Sequence, residues 1–201
     1  MRITFRSGAL DLEGDLFLAP DRARAAVVCH PHPQYGGDMD NSVVCAVAGA
    51  LQDAGYATLR FNFRGVGGSM GVYGGGAGEI DDACSAVRFL RDRSGCSQVT
   101  LAGYSFGALV GLQAGVSMEE VSRLIAVAPP LAFGEIGFLG QCAKEKLFIV
   151  GDRDQFCSRA KLEQALARMA EPKTLRIVPG ADHFFVAHEG RVGDAVRAFA
   201  V

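Results

Sequence analysis

No charge of one sign dominates this sequence: 20 Lys and Arg stand against 22 Asp and Glu, for a formal net charge of -2. A chain so balanced lacks the electrostatic footprint of a nucleic-acid or anionic-membrane binder, which leaves a small molecule as the expected partner. Long apolar runs are missing too. A bilayer-spanning helix needs about 18 or more consecutive apolar residues, and no such run occurs. The opening stretch MRITFRSGALDLEGDLFLAP carries Arg2, Arg6, Asp11, Glu13 and Asp15 where a secretory signal would need an unbroken apolar segment, so a cytoplasmic location is expected. The cysteines (Cys29, Cys45, Cys84, Cys96, Cys142 and Cys157) include no CxxC pair, and several lie in apolar runs. That pattern indicates neither a zinc cluster nor a disulfide framework, and reads as reduced core thiols. Repeats, charged tails and linkers are likewise lacking. The 201 residues, 49% of them hydrophobic, therefore read as one domain, 1–201, with room for a substantial core.

Short β-branched runs alternate with longer helical patterns. AAVVC (25–29), YATLRFNF (56–63), QVTLAG (98–103), RLIAVA (123–128), KLFIVG (146–151) and KTLRIV (173–178) have the near-continuous apolar character of buried parallel strands. Helices are expected between them near 41–54, 79–93, 106–117, 158–170 and 189–200. Ahead of these, ITFRSGALDLEGDLFLA reads as two strands joined around Ser7 and Gly8, an antiparallel lead-in. The sum is an eight-stranded, mostly parallel sheet with helices on both faces. The glycine-rich stretch GVGGSMGVYGGGAG (65–78) is expected to be a loop.

Within LAGYSFGALV, Ser105 stands between Gly103 and Gly107 at the junction of a strand and a helix, in the pattern GxSxG. A serine in so tight a turn needs glycine on both sides, because a Cβ there would strike the adjoining strand or helix. Its hydroxyl would then stand above the sheet as a nucleophile. The following helix would aim its first free N–H, that of Phe106, at a developing oxyanion. A base and an orienting acid should follow in the order acid, then His. His183, in PGADHFF after KTLRIV, is the expected base; His188 fits a surface or helix-start position. Asp152, Asp154 and Asp182 compete for the acid. Asp154 is preferred, because it lies far enough past its strand to turn back toward His183. Asp152 directly follows Gly151 and suits a bond to backbone, whereas Asp182 adjoins the base.

The loop HPHPQYGGD follows AAVVC. Pro31 and Pro33 lack an N–H, which leaves His32 and Gln34 as candidates for a second oxyanion donor, and His32 is nearer the strand end. His30 is expected to brace the loop by hydrogen bonding. A metal site built on His30, His32, Asp38 and Asp40 lacks the further Asp-His pair such chemistry would need. The 65–78 stretch has neither the third glycine of GxGxxG nor a following GK[ST], so nucleotide binding is disfavoured. No metal or cofactor is therefore expected.

Taken together, HPHPQYGG, RFNFRGVGGSMG, GYSFGA, GDRD and GADHFF resemble the small α/β-hydrolases related to dienelactone hydrolases and bacterial serine esterases, over about residues 25–185. The resemblance implies the α/β-hydrolase fold and supports Ser105, Asp154 and His183 as a triad. The elbow residue is serine where dienelactone hydrolases carry cysteine, so their lactone substrate does not transfer. Only PPLAFGEIGFLGQCAKE (129–145) separates the sixth strand from the next, too little for a large cap. The site should be open, roofed by Phe133, Phe138, Phe156 and one of Tyr35 or Tyr73. The expected activity is hydrolysis of small or medium carboxylic esters through an acyl-enzyme. Thioesterase or small-amide hydrolysis, and a non-catalytic binding role, are the alternatives. The expected partner is an ester-like small molecule; a homodimer is allowed, and neither nucleic acid nor membrane is.

Overall fold

The computed structural model describes residues 1–19 and 24–201. The chain opens with a hairpin, β1 (Arg2–Ser7) and β2 (Leu10–Phe17), paired antiparallel. Then come β3 (Arg24–Cys29), α1 (Ser42–Asp53), β4 (Tyr56–Phe61), α2 (Ala77–Ser94), β5 (Val99–Tyr104) and α3 (Phe106–Ser117). The rest is β6 (Val121–Val127), β7 (Glu145–Gly151), α4 (Arg159–Ala167), β8 (Lys173–Val178) and α5 (Glu189–Ala200). Among the described residues these eight strands form one sheet in the order β1-β2-β4-β3-β5-β6-β7-β8, parallel from β4 to β8. No helix among them is long and apolar enough to cross a membrane.

Strand periodicity divides the core. Along β3, Ala25, Val27 and Cys29 pack on one face with residues of α2, α3 and α4, while Ala26 and Val28 pack on the other with α1 and α5. Both faces of each central strand are thus covered, which is why its sequence is apolar without alternation. Order and connection together create a crevice. From β3 the chain moves outward to β4 through α1, then returns past β3 to β5 and leaves through α3 on the opposite face. The loops after β3 and β5 therefore diverge, and such a switch point is where open α/β sheets bind ligands.

The structure also corrects some boundaries. The strand expected over 56–63 ends at Phe61. Asn62 N–H still reaches the neighbouring strand, at the Glu13 carbonyl of β2 (2.9 Å), but Phe63 N–H is diverted to His30 Nε2 at 3.0 Å. The helix expected over 158–170 is the shorter α4. Two 3-10 turns, Pro33–Tyr35 and Gly137–Leu139, were not foreseen; the second is the sole helical turn between β6 and β7, and no cap is built there.

The glycine-rich loop before α2 is held by carboxylates. Buried Asp82 accepts Arg64 N–H at 3.0 Å and is gripped by the Arg64 guanidinium at 2.8 and 3.0 Å. Glu79, fully buried, accepts Gly74 N–H at 2.8 Å and Gly76 N–H at 2.7 Å. These bonds give shape to a segment whose own composition favours none.

Candidate active site

Ser105 is the single residue between β5 and α3, at φ 54° and ψ -120°. A non-glycine residue there is strained, and its neighbours show what holds it. A Cβ on Gly103 would overlap the Gly107 carbonyl and Ala108 N at the start of the helix, and one on Gly107 would overlap the Cys29 and His30 carbonyls at the end of β3. Each glycine of GxSxG is thus required by close backbone approach. Ser105 N–H is anchored on the Val127 carbonyl at 2.9 Å.

β7 and β8 deliver the other two groups. A Cβ on Gly151 would overlap the Ala181 carbonyl, so glycine lets the loops after β7 and β8 touch. Arg153 N–H donates to Ala181 O at 3.0 Å, and Asp152 accepts Gly180 N–H at 2.7 Å. Asp152 thus binds backbone across the two loops, where a bond to local backbone was expected. Asp182 accepts Phe184 N–H at 3.0 Å. Asp154 turns inward: Oδ1 accepts Phe156 N–H at 2.8 Å and Cys157 N–H at 2.7 Å, and Oδ2 lies 3.0 Å from His183 Nδ1. Nε2 of the same imidazole lies 2.8 Å from Ser105 Oγ.

A carboxylate can only accept, so Nδ1 carries the ring proton and Nε2 is left to accept from the serine hydroxyl. Asp154 and His183 are buried, and Ser105 is partly exposed. Tyr104, which sequence reading passed over, donates its hydroxyl to the His183 carbonyl at 2.9 Å. Burial, reinforced by the charge of Asp154, pushes its phenol pKa up and keeps it a donor. Its position beside Ser105 in GYSFG was the available signal. Two residues shortly after Phe184 also show strain: Phe185 has φ 54° and Ala187 has φ 61°.

The loop after β3 is organised differently. His30 is fully buried, and its Nε2 accepts Phe63 N–H at 3.0 Å. The proton therefore resides on Nδ1, which donates to the Pro31 carbonyl at 2.6 Å. Burial pushes the His30 pKa down to about 4, so the ring is neutral near neutral pH. In a trans peptide the C=O and the next N–H point oppositely, so the clamp on Pro31 O also fixes the direction of His32 N–H. With both nitrogens engaged, His30 offers no lone pair to a metal. The His32 ring packs 4.7 Å from that of Phe106. Phe106 opens α3, where the N–H groups have no intrahelical acceptor.

Ser105, His183, His32 and Phe106 line an open cleft of about 860 Å³. Tyr35, Tyr73, Phe133 and Phe156 line it as well. Phe138, expected in the roof, lies instead beside Val116 and Cys142 in a separate hollow. His188 immediately precedes α5.

The fold and this elbow define a class. A family model described as the alpha/beta hydrolase fold matches residues 27–139, and the chain belongs to that family. It is 36% identical over 172 residues to an uncharacterised protein of Rickettsia prowazekii, covering 81% of this chain and 72% of that one. Among solved structures it resembles an alpha-beta serine hydrolase homologue from Coxiella burnetii, with a TM-score of 0.92 at 30% identity over 99% of this chain and 96% of the other. A lid-less member of the α/β serine hydrolases from Xanthomonas campestris gives 0.83 at 34% identity, over 99% and 94% of the two chains.

Proposed function

We propose that the protein is a serine hydrolase that cleaves carboxylic esters of short or medium acyl groups, with Ser105, His183 and Asp154 as its triad. The observation that carries this is the unbroken hydrogen-bond chain from Ser105 Oγ through His183 to Asp154, at 2.8 and 3.0 Å. Likeness to relatives described as serine hydrolases supports it.

His183 Nε2 takes the hydroxyl proton as Ser105 Oγ attacks the ester carbonyl. Asp154 holds the ring in the productive tautomer and stabilises the imidazolium that forms. The N–H groups of Phe106 and His32 receive the oxyanion, each worth about 3 to 4 kcal/mol of transition-state stabilisation. The alkoxide leaves with the proton from Nε2, giving an acyl-enzyme, and water repeats the sequence to release the acid. Thioesters and small amides are the alternative substrates for the same machinery.

A fluorophosphonate probe is expected to label Ser105 in the folded protein, and Ser105→Ala is expected to abolish labelling and lower ester turnover by about four orders of magnitude or more. An unlabelled folded protein, beside a reactive control esterase, would point to a non-catalytic role.

A further inference from the structure

Besides His183 and Tyr104, which packs against it, seven rings line the cleft, and they fall into two groups with Ser105 between them. On one side His32 lies 4.8 Å from Tyr35, 5.0 Å from Tyr73 and 4.7 Å from Phe106. On the other, Phe156 lies 5.6 Å from Phe133, 6.5 Å from Phe184 and 4.9 Å from His183. Ser105 joins them, adjacent in sequence to Phe106 and hydrogen-bonded to His183. Several of these rings are left in water: Tyr35 is 87% exposed, Phe133 76% and Phe184 53%. Rings standing free at the mouth of a cleft are surfaces for a ligand to cover.

Among the described residues, those lining the same cleft include no Asp, Glu, Lys or Arg. Two charges lie just behind it. Glu79 sits beneath the Gly74–Gly76 turn, with its oxygens occupied by two backbone N–H groups, and Asp154 sits behind His183. Neither is free to pair with a ligand cation. The His32 ring is neutral by the same logic as His30: its Nδ1 accepts Gln34 N–H at 3.2 Å, and burial lowers its pKa despite the opposing charge of Glu79. A charged substrate group would therefore lose water and gain no partner.

We infer that the cleft is two-armed and takes an uncharged ester with a flat apolar group on each side of the scissile carbonyl, one on the Tyr35–Tyr73 arm and one on the Phe133–Phe184 arm. This rests on the reading of Ser105 as nucleophile. It separates the substrate from anionic acyl groups and from thioesters whose carrier places charge close to the carbonyl.

The test uses four esters of near-equal intrinsic reactivity: methyl acetate, benzyl acetate, methyl phenylacetate and benzyl phenylacetate. Each ring is expected to raise kcat/KM by about tenfold, the range that apolar pocket contacts supply, so benzyl phenylacetate leads methyl acetate by about a hundredfold. A para-carboxylate or para-ammonium on either ring is expected to remove at least about tenfold. Tyr73→Ala and Phe133→Ala, both at partly exposed positions, are expected to erase the gain from different rings. Charged esters cleaved as fast as their neutral parents, or two variants that affect the same ring or neither, would overturn the inference. Fluorophosphonate labelling separates the two levels of failure. A labelled Ser105 with no ring preference removes the substrate class and leaves the nucleophile, whereas an unlabelled serine removes both.

Discussion

The two halves of the candidate site are held by different means. On the β7–β8 side, side chains do the work of chemistry and of assembly alike: Asp154 binds His183 and two backbone N–H groups, while Asp152 laces its loop to Gly180. On the β3 side, the contribution proposed for His32 is its backbone N–H, whose direction is set at second hand by the buried imidazole of His30. Removing a residue from the first half removes a chemical group. Removing one from the second leaves every group present and loosens its aim. Substitutions on the two sides should therefore fail by different amounts.

Among the substitutions that compare the two halves, the largest effect is expected at Asp154→Asn. The Asn carbonyl can still accept from Phe156 or Cys157, so folding should survive. Its amide, however, offers hydrogen where His183 Nδ1 needs an acceptor, which favours the tautomer with the proton on Nε2 facing Ser105. Ester turnover is expected to fall by about a thousand- to ten-thousand-fold, with the melting temperature changed far less than the rate. A loss below tenfold in steady-state kcat would remove Asp154 from the triad.

His30→Ala is expected to come next. Without the clamp on Pro31 O, kcat should fall by about a hundredfold, equivalent to the aim of one oxyanion donor, with KM moving less. A separate readout comes from the His30 pKa, which lies near 4 in the folded chain against 6.5 when free. As pH falls below 6.5 the unfolded chain binds a proton that the native chain refuses until about 4, so stability is full above that window and declines across it. The decline attributable to this residue reaches about 3 kcal/mol. Chemical denaturation at several pH values should show a shallower decline in the variant. Equal slopes in the two proteins would show that His30 is not the group responsible.

That division also explains what was legible before the structure. The proposed acid, base and nucleophile require particular side chains at strand ends, and residue type with strand order singled out Ser105, Asp154 and His183, three side chains that meet in the fold. Gly103 and Gly107 were readable for a related reason: a missing Cβ is a statement about packing that the sequence makes directly. Gly151 makes the same statement, but its partner, the Ala181 carbonyl, lies on another strand and only the fold reveals it. The same holds for Asn62 and Phe63, which pattern alone assigned to β4. Asn62 N–H still meets Glu13 O on the neighbouring strand, but that of Phe63 is claimed by His30, a contact without local periodicity. The stretch over 65–78 was legible as a loop but not in its shape, because glycine carries no directional signal and that shape comes from the buried carboxylates of Glu79 and Asp82.

Tyr104→Phe gives the smallest effect and the sharpest check on the comparison, because Tyr104 belongs to the first half by location and to the second by mechanism. It sits on β5 beside the nucleophile, yet its hydroxyl meets the backbone carbonyl of His183, at 2.9 Å, and not the ring. Phenylalanine keeps the aromatic packing against His183 and Phe185, at 5.8 and 6.3 Å between centroids. What is lost is one buried hydrogen bond, with a carbonyl left unpaired, at a cost of about 1 to 2 kcal/mol. In a chain of this size that lowers the melting temperature by about 2 to 8 °C. Turnover should drop only a few-fold, since Asp154 still orients the imidazole. Should kcat instead collapse as far as in Asp154→Asn, anchoring of the His183 backbone would be as decisive as the carboxylate itself. The contrast between a half built from side chains and a half built from aimed peptides would then have to be abandoned.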